Sequence, residues 1–327
     1  MRLFVTGISG YLGTVVLRSL EADPAIESIV GVDLCPPAAD SPKLDFREMD
    51  VRDHAGIREA MRGCDAALHM AYILNEIRDK EKTYDINING SKNVFHACLD
   101  TATPWLIQIS SMAAFGAHPD NPFPLSEDDY PRGDYRCYYS YGKAEIEHYL
   151  NRLSQKHPEL EVTILRPCVI VGERLDNTIS WLFGRRVALS LRGSDPHTQY
   201  IHEDDLAEAV RLVLKHRAHG IFHVTSDDTI AFSEMKRRAG MIAPAIPPDF
   251  ACSLADISYR LGLSPISSHW INMFRHSMVG SNEKIARELG WQPSYTSKEL
   301  FEVVLEAGRK RKSARPSGNG NNSRHRS

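Results

Sequence analysis

No apolar run in this 327-residue chain approaches the roughly 20 residues that a helix needs to cross a bilayer, so no membrane span is expected. The first residues lead straight into an apolar strand pattern and leave no room for a cleavable export signal; we expect a cytoplasmic protein. Cysteine is sparse and dispersed. Cys35, Cys64, Cys98, Cys137, Cys168 and Cys252 form no close pair, which argues against a zinc knuckle or redox dithiol and for reduced, mostly buried thiols. Histidines are more plentiful, but His69, His202 and His223 sit in or beside apolar strands rather than at metal-ligand spacing, so no metal site is expected.

Acid is missing from one end. From Arg309 onward there are seven Lys or Arg and no Asp or Glu, so a total charge of −3 leaves −10 on the rest. Residues 309–327, rich in Gly, Asn, Ser and Arg, cannot bury enough apolar surface to fold alone and read as a disordered basic tail. The acidic body would not extend a basic binding face, which argues against a nucleic-acid partner. With 42% hydrophobic and 25% charged residues, the remainder is an ordinary folded protein, long enough for one large or two coupled domains.

What is present begins at Thr6-Gly7-Ile8-Ser9-Gly10-Tyr11-Leu12-Gly13, directly after the apolar run Leu3-Phe4-Val5. Gly7 permits a tight turn, Gly10 lets backbone approach a pyrophosphate, and Gly13 lets the next helix press on the strand with its amides aimed at negative charge. Leu12, Val15, Val16 and Leu20 recur at helical spacing, and Ile29, Val30 and Val32 form a second strand ending in Asp33, twenty residues past Gly13. A carboxylate there accepts the ribose hydroxyls of an adenosine and repels a 2′-phosphate; no arginine follows in Leu34-Cys35-Pro36-Pro37. The pattern points to a dinucleotide, NAD rather than NADP.

Further strands are expected at Phe46–Met49, Ala66–Met70, Trp105–Ile109 and Val162–Leu165, with helices over roughly 55–62, 82–102 and 138–156 between them. That alternation predicts an α/β fold with a doubly wound parallel sheet and the cofactor beyond the carboxyl ends of its strands. Residues 1–172 form the dinucleotide domain, Tyr200-Ile201-His202 and Ile221-Phe222-His223-Val224 look like returns to the sheet, and 173–308 is mainly a smaller lobe closing a substrate cleft.

Tyr139 and Lys143 stand four apart on the third of these helices, on one face, whereas Tyr138 and Tyr141 lack such a partner. Ser110-Ser111 lies just beyond the fifth strand, at the same sheet edge. A phenol titrates near 10, but a neighbouring ammonium and a nicotinamide cation favour phenolate, so Tyr139 could move a hydroxyl proton while hydride moves to or from the ring. Ser111 would hold the substrate oxygen, and Lys143 would also bind the ribose.

These residues, with Asp50-Val51-Arg52-Asp53, His69-Met70-Ala71, Asn87-Ile88-Asn89-Gly90, Ser110 to Gly116, Leu165-Arg166-Pro167 through Gly172, Tyr200 to Leu206 and Glu288 to Pro293, resemble the extended short-chain dehydrogenase/reductases, also called the NAD-dependent epimerase/dehydratase family. The resemblance runs nearly end to end. It implies a Rossmann, NAD(P)-binding fold with Tyr139 as acid/base, Ser111 and Lys143 as partners and Asn87 in support. It implies cofactor contacts from Gly7, Ser9, Gly10, Tyr11, Leu12, Gly13, Asp33, Asp50, Val51, Met70, Ala71, Tyr139, Lys143 and Pro167. It also implies homodimers packed through the helices around 82–102 and 138–156.

Departures bear on the substrate. Val169 stands where sugar-nucleotide epimerases commonly have an asparagine on the substrate phosphates, and Gln199 where they often place an arginine for the diphosphate. Ser111-Met112-Ala113 lacks the Asp-Glu pair of the dehydratases, which argues against dehydration. Arg166, Arg185, Arg186 and Arg192 remain phosphate candidates. The expected activity is NAD-dependent interconversion of a secondary alcohol and a carbonyl on a modest-sized, partly apolar metabolite, with Tyr72, Ile73, Leu74, Phe115, Trp181 and Phe183 as pocket candidates. The alternatives are a nucleotide-sugar epimerase with tightly held NAD and a non-catalytic NAD(H) sensor.

Overall fold

The computed structural model describes residues 1–74, 79–172, 190–264 and 267–314. Strand β1 (Arg2–Thr6) sets the plan, because Leu3, Phe4 and Val5 are all fully buried. Side chains alternate across a strand, so Leu3 and Val5 pack on one face with Val15, Val16, Leu17 and Leu20 of α1 (Tyr11–Ala22), while Phe4 joins the apolar layer on the other face. A strand apolar on both faces is what a helix-covered parallel sheet requires.

There follow β2 (Ser28–Asp33), β3 (Leu44–Glu48), α2 (His54–Met61), β4 (Ala66–His69), α3 (Lys80–Tyr84), a π-helical turn (Asp85–Asn89), α4 (Gly90–Asp100), β5 (Trp105–Ile109), a 3-10 turn (Met112–Phe115), α5 (Tyr138–Lys156) and β6 (Glu161–Pro167). After β7 (Val169–Val171), β8 (Ser190–Leu191), β9 (His197–Thr198) and β10 (Tyr200–His202) come α6 (Glu203–His216) and β11 (Gly220–Val224). The chain continues through β12 (Ile230–Ala231), α7 (Phe232–Ala239), β13 (Ala245–Ile246), α8 (Pro248–Arg260), α9 (Ser268–Met273), α10 (Glu283–Leu289) and α11 (Ser297–Ala314).

Seven of these strands form one parallel sheet in the order β11-β6-β5-β4-β1-β2-β3. The fold class is therefore the doubly wound Rossmann arrangement expected. From β1 the chain builds outward through β2 and β3, then crosses back to β4, so the connections diverge between β1 and β4 and leave a crevice at the strand ends. One helical layer holds α1 and α6; the other holds α2, α4 and α5. Buried Trp105 donates from Nε1 to Thr163 at 2.9 Å, and buried Trp291 donates to the Asp205 carbonyl at 2.9 Å, so neither indole leaves an unpaired N–H in the core.

Two local expectations differ from what forms. Tyr200–His202 does not return to the large sheet: it pairs with Val169–Val171 in a separate two-stranded sheet, and only Gly220–Val224 rejoins, beside β6. Tyr200 packs in a second apolar cluster with Val171, Met235, Phe301 and Val304, while its neighbour Ile201 joins the core that holds Phe222 and Val224, so the strand bridges the two clusters. The helix expected over 82–102 is interrupted by the π turn, which shifts the face that Asn87 presents. Helix α11 continues to Ala314, into the basic segment; residues from 315 on lie outside the described residues, as do 173–189 and with them Trp181, Phe183, Arg185 and Arg186. Among the described residues no helix is long and apolar enough to cross a membrane.

The tightest contact in the glycine turn is at Gly13, where an added Cβ would stand 2.2 Å from the Gly7 carbonyl oxygen and 2.5 Å from that of Ile8. Gly10 is less constrained, at 3.3 Å from the Gly7 oxygen. Gly13→Ala is expected to lower the unfolding free energy by about 1–3 kcal/mol or more, and Gly10→Ala by clearly less, measured by urea titration of each variant.

Candidate active site

The glycine turn sits over the crevice because its backbone touches both neighbouring strands. Gly7 has φ +72°, its amide donates to the Val32 carbonyl at 3.0 Å, and a Cβ on it would come within 2.7 Å of the Ala71 nitrogen. Helix α1 then starts with no side-chain cap and no acid in its first turn, which leaves the positive end of the helix open to an anion. Asp33 ends β2 beside the turn, where its carboxylate accepts from the amides of Ser9 at 2.9 Å and Leu34 at 2.7 Å. The Tyr11 hydroxyl donates to Glu203 at the start of α6; burial, and then this carboxylate, push the phenol upward. Farther along the same sheet edge, Asp50 is paired with Arg52 at 2.6 Å, and that bond holds its carboxyl below the usual range. Val51 lies beneath Gly90, where a Cβ would meet it at 2.6 Å.

A buried polar chain links the turn to Asn87. The amides of Met70 and Ala71 both donate to the Thr6 hydroxyl at 3.2 Å, so its own proton goes to His69 Nδ1, 2.6 Å away. His69 then carries its proton on Nε2 and donates to Ser91 at 2.9 Å, and Ser91 donates to the Asn87 carbonyl at 2.5 Å. Burial, and then the Lys143 charge, push His69 down to about 3, so the imidazole stays neutral in this chain. The Asn87 side chain accepts from the Ile73 amide at 2.7 Å and donates to the Ile73 carbonyl at 3.1 Å, clamping the segment after β4.

Ser111, Tyr139 and Lys143 come together. Ser111 ends the extended run from β5 and accepts from the Ala113 amide at 3.1 Å; a hydrogen bond joins it to Tyr139. Burial pushes the Tyr139 phenol up to about 12, with the Ser111 bond pulling the other way. Lys143, one turn along α5, is 4% exposed and donates to the Ile109 carbonyl at 3.0 Å. Burial pushes its ammonium down to about 7, opposed by Glu147. Glu147 is itself held by Arg166 at 2.7 Å and accepts from Ser110 at 2.5 Å.

A cavity of about 500 Å³ is lined by the glycine turn, these three residues and residues from the C-terminal half of the chain. Gly7, Gly10, Tyr11, Leu12, Gly13, Met70, Ser111, Tyr139, Lys143 and Pro167 line it, as do Tyr72 and Leu74. Ser9, Asp33, Asp50, Val51, Ala71 and Asn87 lie outside its wall. Val169, Trp270, Met273, Phe274 and Met278 also line it, with His197, Thr198, Gln199 and His276 as polar groups; of the apolar ones the sequence singles out Val169, Trp270 and Phe274 but not Met273 or Met278. Trp270 and Met273 cluster directly with Tyr139.

Four expectations fail here. Phe115 is not a pocket residue but core, 4.7 Å from the Arg166 guanidinium and edge-on to His223. Ile73 is not on the wall either. Arg166 is not available to a phosphate, since it is 1% exposed and its fork is spent on Glu147. Arg192 is exposed and off the cavity. Gln199 is fully engaged inside the protein, donating to the carbonyls of Ser226 at 2.7 Å and Gly280 at 3.0 Å and accepting from the Gly280 amide at 2.8 Å.

Residues 3–224 match the model of the NAD dependent epimerase/dehydratase family. Over 327 aligned residues the chain is 24% identical to short-chain dehydrogenase/reductase family 42E member 1 of Danio rerio, with 91% of this chain and 79% of that protein covered. It is 22% identical over 243 residues to a decarboxylating sterol-4-alpha-carboxylate 3-dehydrogenase of Dictyostelium discoideum, covering 70% and 73%. Among solved structures, UDP-glucose 4-epimerase of Thermus thermophilus in complex with NAD superimposes with a TM-score of 0.71 at 21% identity, covering 94% of this chain and 99% of that one.

The buried ammonium has a cost that can be measured. The unfolded chain keeps the Lys143 proton up to about pH 10.5 and the folded one releases it near 7, so the unfolded state binds more protons between these values and stability rises with pH across that window. Lys143→Met is expected to be more stable than the parent below pH 7, with the gap closing as pH climbs toward 10; chemical denaturation at a series of pH values gives the curve.

Proposed function

The chain belongs to the NAD-dependent epimerase/dehydratase family, and from that premise we propose that it is an NAD-dependent oxidoreductase interconverting a secondary alcohol and a carbonyl, with Tyr139 as the acid/base. The observation that carries the reading is one continuous cavity with the glycine turn at one end, Ser111, Tyr139 and Lys143 midway, and an apolar wall beyond. The residues fit a dinucleotide: a Cβ on Gly7 or Gly13 would collide with backbone, so the glycines keep the turn closed against the strand end and α1, and α1 presents an uncapped N-terminus. Gly7 to Gly13 would hold the pyrophosphate, Asp33 the adenosine ribose, Asp50, Val51, Met70 and Ala71 the adenine side, and Tyr139, Lys143 and Pro167 the nicotinamide half. NAD, when bound, supplies the hydride acceptor or donor and a positive ring.

The Ser111 hydroxyl would orient the substrate oxygen, and the Tyr139 hydroxyl would take or return its proton. Tyr139 is pushed up to about 12 in the bare protein, so phenolate needs positive charge nearby. Lys143 provides part of that charge while its own proton is retained. Asn87 acts at one remove by fixing the backbone at Ile73.

The substrate is read from the far wall. Among the described lining residues Lys143 is the only lysine or arginine, and Val169, Trp270, Met273, Phe274 and Met278 offer apolar surface. That suits a hydroxyl- or keto-bearing, largely apolar molecule better than a diphosphate, and the similarity to a sterol dehydrogenase points the same way. A nucleotide-sugar epimerase that keeps its NAD is the second reading, favoured by the likeness to UDP-glucose 4-epimerase. A homodimer packed through α4 and α5 belongs to the proposal.

Calorimetry on the purified protein is expected to give tighter binding of NAD than of NADP, a preference narrowed by Asp33→Ser. NADH absorbance over a library of secondary alcohols and nucleotide sugars identifies the reaction. Tyr139→Phe is then expected to lower kcat by about 10²–10⁴-fold while NAD affinity changes little. Affinity for neither coenzyme, or full turnover in the phenylalanine variant, overturns the reading; turnover without added coenzyme, with NAD carried through purification, selects the epimerase.

A further inference from the structure

We propose that Tyr72 is a positioning residue whose ring face holds the Lys143 ammonium in place beneath the Ile109 carbonyl and beside Tyr139. The Lys143 nitrogen lies 4.0 Å from the Tyr72 ring centroid, against 5.8 Å from that of Tyr139. The two tyrosine rings meet edge to face, 5.5 Å apart with their planes at 90°, so one aromatic ring touches both members of the pair. A buried ammonium with one carbonyl bond needs further compensation, and the electron-rich face of a phenol supplies it without adding an opposing charge.

The ring is itself fixed. The backbone of its neighbour Ile73 is clamped by Asn87, and a hydrogen bond joins the Asn87 side chain to the Tyr72 phenol. The phenol oxygen fills the space that a side chain at 142 would take: a Cβ on Gly142 would stand 2.6 Å from it. Glycine inside a helix is unfavourable, and here it lies immediately before Lys143, on the helix that carries the pair. Tyr72 and Gly142 therefore act together, the missing side chain of one admitting the ring of the other.

The ionisable groups facing the ammonium are His69 at the end of β4, Tyr72 after it, and Tyr139 and Glu147 on α5, with Glu147 tied to Arg166 of β6. His69 and the phenols stay neutral through the physiological range, so the ring face and Glu147 are what favour the charged amine. The inference rests on the dehydrogenase reading for its purpose but not for its test.

The test is NMR of the full chain labelled with ¹³C at lysine Cε, the Lys143 signal being assigned by its loss in Lys143→Met. Tyr72→Phe keeps the ring and is expected to titrate with the parent. Tyr72→Leu is expected to lower the Lys143 midpoint by about one pH unit, a tenfold loss of proton affinity. Gly142→Ala, which displaces the ring without deleting it, is expected to move the midpoint the same way and carries the test alone should the leucine variant not fold. An unchanged or raised midpoint in folded Tyr72→Leu or Gly142→Ala, or a lowered one in Tyr72→Phe, overturns the proposal. No coenzyme or substrate enters the measurement, so failure here leaves the dehydrogenase reading standing, and failure to bind NAD leaves this one standing.

Discussion

An ammonium with 4% exposure has given up nearly all its water, and the centre of this protein is arranged around that loss. Burial pushes the Lys143 ammonium down to about 7 even with Glu147 opposing the shift. The compensation comes from four directions: the last carbonyl of β5, the ring after β4, and, on α5, Tyr139 one turn before and Glu147 one turn after. The carbonyl of Ile109 and the ring of Tyr72 are brought there by the ends of β5 and β4, and Tyr139 and Glu147 by one face of α5. The parallel sheet brings the ends of β1, β4, β5 and β6 together, so groups far apart in sequence share one low-dielectric space.

Glu147 shows how the arrangement extends inward. Its carboxylate favours the lysine charge, yet a buried carboxylate needs its own compensation, which Arg166 and Ser110 provide. The arginine that a phosphate-binding reading would spend on substrate is thereby committed to the interior. Removing either member of such a pair leaves a lone buried charge, typically about 3–5 kcal/mol against folding. Gln199, a departure in the sequence from a diphosphate-binding arginine, has its amide engaged with the backbone at Ser226 and Gly280.

The parts that were legible are those governed by local physics. Leu3 to Val5 followed by the glycine turn, and the four-residue step from Tyr139 to Lys143, are constraints a chain must meet within a few residues, and they place β1, α1 and α5 correctly. The π turn at Asp85–Asn89 was not legible, since Asn87 turns on one extra residue in a helix whose pattern reads as continuous. Nor was the placement of Tyr200–His202, because a three-residue apolar run carries no information about which of two sheets will bury it. Trp270 and Phe274 stand out in the sequence as bulky residues of a segment expected to close the cleft, whereas Met273 beside them carries no such signal and owes its place to packing with Tyr139.

The chain of hydrogen bonds from Thr6 to Asn87 joins these two kinds of information. Thr6 is in the legible glycine motif and Asn87 in the illegible turn, yet His69 requires both. A neutral imidazole has one donor and one acceptor, and two backbone amides already claim the oxygen of Thr6, so the proton on Thr6 can only point to Nδ1. Everything downstream is then directed, through Nε2 and Ser91 to the Asn87 carbonyl. A protonated His69 would place two N–H groups against Thr6 and Ser91 and break that order, and the nearby Lys143 charge acts against such protonation. The ammonium that the site is built to retain thus also helps keep the turn and the Asn87 clamp in register.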